Sequence, residues 1–151
     1  MALEPGDPAP AVRAPNQDGD AVEPDWTGVS VVYFYPKDDT PGCTTEAEQF
    51  QAELQSYRDA GVTVYGVSTD GVDSHADFAE EYDIEFDLLA DPDGEVADAF
   101  DVDRSGGVAS RTTFVVVGES IQAVYTGVDP DGHARNVLAD LIETGVVSLD
   151  D

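Results

Sequence analysis

"YFYPKDDTPGCTTEAEQF", residues 33–50, is the stretch on which the reading of this chain turns. Its first residues complete an apolar run, "GVSVVYFYP" (28–36), rich in β-branched and aromatic side chains. That pattern predicts a central strand buried on both faces. The period then changes. Ala47, Phe50, Leu54 and Tyr57 follow Cys43 at helical spacing, and Gly61 closes the segment. Cys43 is the only cysteine in 151 residues. If Thr40 is the N-cap, Pro41 occupies the first helical position, where its missing N–H costs nothing. Cys43 then lies in the first turn, near unpaired backbone N–H groups and the positive end of the helix dipole, a setting that favours the reactive thiolate. Its place on the Ala47–Phe50–Leu54 face turns it inwards, into a pocket. A free cysteine is by default a small buried apolar residue. The close backbone approach at Pro41-Gly42 and the Thr40 hydroxyl one turn earlier argue for chemistry instead.

The remaining elements follow outward from this segment. "VTVYGVST" (62–69) predicts a second buried strand, and "DSHADFAEEYD" (73–83) a short helix with Ser74 and Asp77 resembling a capping box. "DLLAD" (87–91) predicts a strand, "PDG" (92–94) a turn and "EVADAF" (95–100) a short helix. "RTTFVVV" (111–117) and "IQAVYTG" (121–127) predict a hairpin around Gly118. A last helix places Ala134, Val137, Leu138, Leu141 and Ile142 on one face. The N-terminal stretch through "DAVEPDWTG" predicts a small additional hairpin. Alternation of strands and helices indicates an α/β fold with helices on both sheet faces, and the closing hairpin makes the sheet mixed. Residues 1–151 read as one domain, long enough to be stable without staples.

Composition limits the function classes. One cysteine excludes an internal disulfide and a Cys-x-x-Cys redox pair. No apolar leader segment and no run of membrane-spanning length is present, so the expected location is the cytoplasm. The chain has 33 Asp and Glu against 6 Lys and Arg, a net charge of −27, and Lys37 is its only lysine. Such a coat repels nucleic acid and anionic membranes. It also repels itself, unless molar salt shortens the Debye length to about 3 Å. The coat points to a salt-rich cytoplasm, that of a halophile, in preference to an ordinary acidic protein. "DPDGE" (91–95) and "DPDG" (129–132) lack the spaced ligands of a calcium loop and read as turns. No zinc set, phosphate loop or dinucleotide fingerprint occurs, and no cofactor is expected.

Pro36, Thr40 and Cys43 form Pro-x-x-x-Thr-x-x-Cys, and the whole segment 33–50 resembles the active-site segment of peroxiredoxins. The likeness is to the peroxiredoxin Q branch, the bacterioferritin comigratory proteins. It is collinear over most of the chain. "LEPGDPAP" and "NQDGDAV" resemble the family's opening, residues 67–102 its middle, and "SRTTFVVV" the strand that an active-site arginine precedes, here Arg111. The resemblance implies a thioredoxin-like fold and reduction of hydrogen peroxide and organic hydroperoxides. It makes Cys43 the nucleophile and gives Arg111 the thiolate and the peroxide oxygens. Thr40 would offer its hydroxyl to the peroxide, and Pro36 would shield the site and shape its loop. Glu46 resembles a family acidic position, either orienting an arginine or standing as a solvated helix charge. Many members of this branch carry a resolving cysteine five residues after the first; here that position is Glu48. The chain thus reads as a one-cysteine type, a monomer regenerated by thioredoxin, glutaredoxin or a small-molecule thiol. The linker "DRSGG" (103–107) falls where family sequences vary. His75 and His133 stand at predicted helix starts, where local capping or surface placement is expected rather than a dyad with Cys43. Two other classes share the scaffold: a thiol–disulfide oxidoreductase, which needs a second cysteine, and a non-catalytic holdase.

Overall fold

Strand β3 (Val29–Phe34) is the middle of the molecule because its residues tolerate burial on both sides. In a computed structural model describing residues 3–104 and 107–147, Val31 through Tyr35 are at most 1% exposed. The alternation of strand side chains divides them between two cores. Val31, Tyr33 and Tyr35 enter one with Cys43, Phe50 and Tyr57; Val32 and Phe34 enter the other with Trp26, Phe100 and Phe114. The chain's two ends, and residues 105 and 106 of the "DRSGG" linker, lie outside the described residues.

A short hairpin, β1 (Ala14–Pro15) with β2 (Ala21–Val22), precedes β3 as the sequence predicts. After β3 come α1 (Pro41–Ala52), α2 (Leu54–Asp59), β4 (Val62–Ser68), α3 (Val72–Tyr82), β5 (Asp87–Ala90) and α4 (Glu95–Ala99). The chain closes with β6 (Thr112–Val117), β7 (Ser120–Thr126) and α5 (His133–Glu143). The five-stranded sheet has the order β5-β4-β3-β6-β7, parallel from β5 to β3 and antiparallel from β3 to β7. The mixed α/β sheet is thus as read from the sequence, with an uneven covering. Apolar residues of α1, α2, α3 and α5 fill one core, whereas α4 and the N-terminal segment close the other face.

Four local readings change. The stretch after Cys43 is two helices, broken at Glu53, a break the sequence does not show because the apolar stripe continues across it. α3 is capped by Gly71 rather than by a Ser74–Asp77 box; the Ser74 hydroxyl instead donates to Asp38, 2.8 Å away. Ile142 leaves the α5 stripe and is 38% exposed, while Ala134, Val137, Leu138 and Leu141 are buried. His75 and His133 are not at the surface; both are buried.

Sheet topology sets the site. β3 and β6 run antiparallel with Phe34 opposite Thr112. The end of β3, where the chain leaves for α1, and the start of β6, just after Arg111, therefore share one end of the sheet.

Candidate active site

Thr40 has the extended backbone of an N-cap and Pro41 follows at the first helical positions. The first helical bond runs from Thr44 N–H to the Thr40 carbonyl, 2.8 Å. The N–H groups of Gly42 and Cys43 thus precede the helical ladder and have no acceptor among the described residues. Cys43 lies in this turn and is 1% exposed.

Arg111 reaches into it from the head of β6. Its Nη2 donates to Cys43 Sγ at 3.4 Å and its Nη1 to Glu46 Oε1 at 2.6 Å. Cys43 and Glu46 are three residues apart on α1 and share a helix face, so one planar fork spans both. The fit requires Gly42. A Cβ there would stand 3.2 Å from Arg111 Nη2 and 3.4 Å from Pro130. Burial works to lower the Arg111 pKa, but Glu46 and Cys43 carry it above its ordinary value. The guanidinium is a fixed positive charge.

Glu46 is fully buried. Loss of hydration pushes its carboxyl up to about 7 against the pull of Arg111. Its Oε2 and the Tyr33 hydroxyl are buried without a hydrogen-bond partner. His133 lies behind, its Nε2 2.8 Å from Thr113 Oγ1 and its ring against Phe50 and Tyr125. Burial, then the Arg111 charge, hold it down to about 4, so it is neutral near pH 7.

The structure therefore brings Cys43, Arg111 and Glu46 together. Thr40 sits where the motif places it, but its hydroxyl donates to the Lys37 carbonyl at 2.9 Å and makes no capping bond. Pro36 is half-buried at the start of the loop to α1. Glu48 is exposed on the outer side of the helix. An open hollow of about 490 Å³ borders Arg111, lined also by Asp103, Ser110, Thr112, Thr126 and Val128. The sequence reads Gly42 as a close backbone approach to the thiol, but it does not show that Arg111 takes the space Gly42 leaves, nor that Asp38, held by α3, belongs to this region.

A lone cysteine in the first turn of the helix after the central strand, facing an arginine on a mixed sheet, defines a thiol protein of the thioredoxin fold. Comparison with known proteins gives the family. The AhpC/TSA family model matches residues 5–123. Peroxiredoxin Bcp of Escherichia coli is 36% identical over 140 residues, covering 91% of this chain and 86% of that one. Among solved structures, a PrxQ mutant from Xylella fastidiosa superposes with a TM-score of 0.89 at 29% identity, over 96% of this chain and 99% of that one. The bacterioferritin comigratory protein of Xanthomonas campestris, described for its alkyl peroxide reduction activity, gives 0.82 at 33% identity over 89% and 92%. The chain belongs to the AhpC/TSA family, as a peroxiredoxin of the Bcp/PrxQ branch, and is a thiol-dependent peroxidase.

Proposed function

We propose that this peroxiredoxin reduces hydrogen peroxide and organic hydroperoxides at Cys43, with Arg111, Thr40 and Pro36 completing the site. The observation that carries the reading is the fork of Arg111 between Cys43 Sγ and Glu46. The thiolate attacks one oxygen of ROOH. An S–O bond forms, the O–O bond breaks, and the departing RO⁻ takes a proton to leave as an alcohol or water. Sulfur is oxidised to the sulfenic acid. Arg111 and the free N–H groups of the first α1 turn face the oxygens on which charge develops. Thr40 contributes its hydroxyl by turning it from the Lys37 carbonyl, and Pro36 keeps water from the sulfur.

With Glu48 where a resolving thiol would stand, the sulfenic acid is reduced from outside. A first thiol R′SH forms a mixed disulfide and releases water; a second displaces R′SSR′ and restores Cys43. The sum is ROOH + 2 R′SH → ROH + H₂O + R′SSR′, and no bound cofactor is needed. The reductant is thioredoxin, glutaredoxin or a small thiol, and the enzyme works as a monomer in a salt-rich cytoplasm. No helix among the described residues is long and apolar enough to cross a membrane.

Peroxide consumption with dithiothreitol as reductant tests the reading. The wild type should turn over hydrogen peroxide and cumene hydroperoxide, and Cys43→Ser, nearly isosteric, should fold and lose both activities. Turnover that persists in the serine variant would overturn it.

A further inference from the structure

The reaction as derived leaves unused a buried polar cluster beside the active-site loop. Asp38 lies two residues before Thr40 and is 6% exposed. Its Oδ1 accepts from the Tyr35 hydroxyl at 2.6 Å. Its Oδ2 accepts from Ser74 Oγ at 2.8 Å and faces His75 Nδ1 at 2.6 Å. His75 is fully buried, and its Nε2 faces the Leu89 carbonyl at 3.0 Å. The ring is thus held between the Asp38 carboxyl group and a backbone carbonyl. The Asp38 N–H donates to Asp70 Oδ2 at 2.7 Å, and Asp70 also accepts from Ser68 Oγ at 2.8 Å. Asp39, in the left-handed region at φ 58°, accepts from the Tyr82 hydroxyl at 3.0 Å.

Asp38, Asp70 and His75 present ligand atoms within 4.8 Å of one another. A cation there would have to displace Ser68, Ser74 and the Asp38 N–H, which already point at the same oxygens, so the cluster reads as a clamp rather than a metal site. It joins the active-site loop, Pro36 to Thr40, to three elements. Ser74, His75 and Tyr82 belong to α3, Leu89 to β5, and Ser68, which holds Asp70, ends β4. A satisfied buried network of this kind fixes geometry more firmly than isolated bonds do.

Resting on the proposed function, we infer that Asp38 is a positioning residue for peroxide reduction. Ser74 and His75 of α3 hold its carboxylate, and the carboxylate fixes the Pro36–Thr40 loop. Thr40 and the first turn of α1 are thereby set against Arg111 for in-line attack by Cys43. Small misplacements of reacting groups cost disproportionately in rate. Alkylation of the same sulfur by iodoacetamide needs neither Thr40 nor an in-line peroxide, so the ratio of the two rates separates positioning from general damage.

The test measures, for wild type, Asp38→Asn, His75→Phe and His75→Gln, the rate of Cys43 oxidation by hydrogen peroxide and its alkylation by iodoacetamide. Circular dichroism and thermal melts accompany both. Folded Asp38→Asn and His75→Phe should lose roughly tenfold or more in oxidation while alkylation holds or rises. His75→Gln, which keeps a donor towards Asp38, should recover part of the loss. If His75→Phe does not fold, the double variant Ser74→Ala/Tyr82→Phe, which removes the two α3 hydroxyls that donate to Asp38 and Asp39 of the loop, makes the same measurement. Folded variants with the wild-type ratio of rates would overturn the inference. If instead the wild type is not oxidised at Cys43, it is the proposed function that fails.

Discussion

Arg111 reaches a carboxylate with one amino group and a sulfur with the other, and each contact depends on its planar fork. Replacing it with methionine keeps bulk but removes charge and donors. Cys43 oxidation should then slow on the order of 10²-fold, the usual loss when a donor to a developing oxyanion is deleted. Lysine should restore only part, being a point charge without the fork. Stopped-flow mixing with peroxide checks both, and an unchanged rate in Arg111→Met would remove Arg111 from the site. His133 and Glu46 give a pH signature. The His133 ring is held down to about 4 from an ordinary 6.5, so as pH falls the unfolded chain takes up this proton first. Stability tied to neutral His133 is present above about pH 6.5 and is lost as pH falls towards about 4. Glu46, raised to about 7 from 4.5, acts in the opposite sense, and its stability is lost as pH rises through that window. Comparing wild type with His133→Gln cancels the Glu46 contribution. Between about pH 7 and pH 5 the wild type should lose about 1–2 kcal/mol more than the variant in urea unfolding; parallel losses would contradict the assignment. Cys43 and Arg111 were legible in the sequence because a short motif and one strand start carry them, whereas the sequence leaves Glu46 open between orienting an arginine and a solvated helix charge, and only the fold sets it, buried, against Arg111. The burial of His75 was not legible, since its partner Asp38 lies 37 residues upstream.

Between elements, the parallel pairing of β3 and β4 depends on a missing side chain. Tyr33 lies opposite Gly66 in register. A Cβ at Gly66 would stand 3.0 Å from the Tyr33 ring and 3.0 Å from Leu88 Cδ2. Tyr33 is fully buried and stacks on Phe50 of α1 at 4.5 Å between ring centres, so it has nowhere to retreat. Gly66→Ala should therefore cost about 1–3 kcal/mol by overpacking. Urea unfolding measures it, and a neutral substitution would mean that the Tyr33–Phe50 stack is looser than its geometry. Strand positions were legible from apolar runs because β3, β4 and β6 are buried on both faces and need no partner to be recognised. Helix ends were less so. The Glu53 break is hidden by a stripe that continues through Leu54 and Tyr57, and Ser74 carries a capping pattern while its hydroxyl serves Asp38. The Ser74 outcome is set by a partner 36 residues away in sequence.

At the scale of the whole molecule, a net charge of −27 is scarcely offset. Among the described residues four arginines are paired: Arg58 with Glu85, Arg104 with Asp98, Arg111 with Glu46 and Arg135 with Glu53. Of these pairs only Arg111–Glu46 is largely buried; exposed pairs contribute little. Self-repulsion should make the fold weaker in dilute buffer than in molar KCl. The melting temperature should rise across a salt series, and a flat or falling trend would dismiss the halophile reading. The same charge, with a cysteine that is 1% exposed, disfavours a disulfide between two copies. The fate of Cys43 under peroxide thus states the central claim at the level of the intact protein. Non-reducing intact-mass spectrometry after one equivalent of hydrogen peroxide, with peptide mapping, measures it directly. The wild type should gain one oxygen atom at Cys43 as a monomer, then a second with excess peroxide, and should show a mixed disulfide at Cys43 when a small thiol is present. A wild-type chain that consumes peroxide with Cys43 unmodified throughout, or a dominant covalent dimer, would contradict the account.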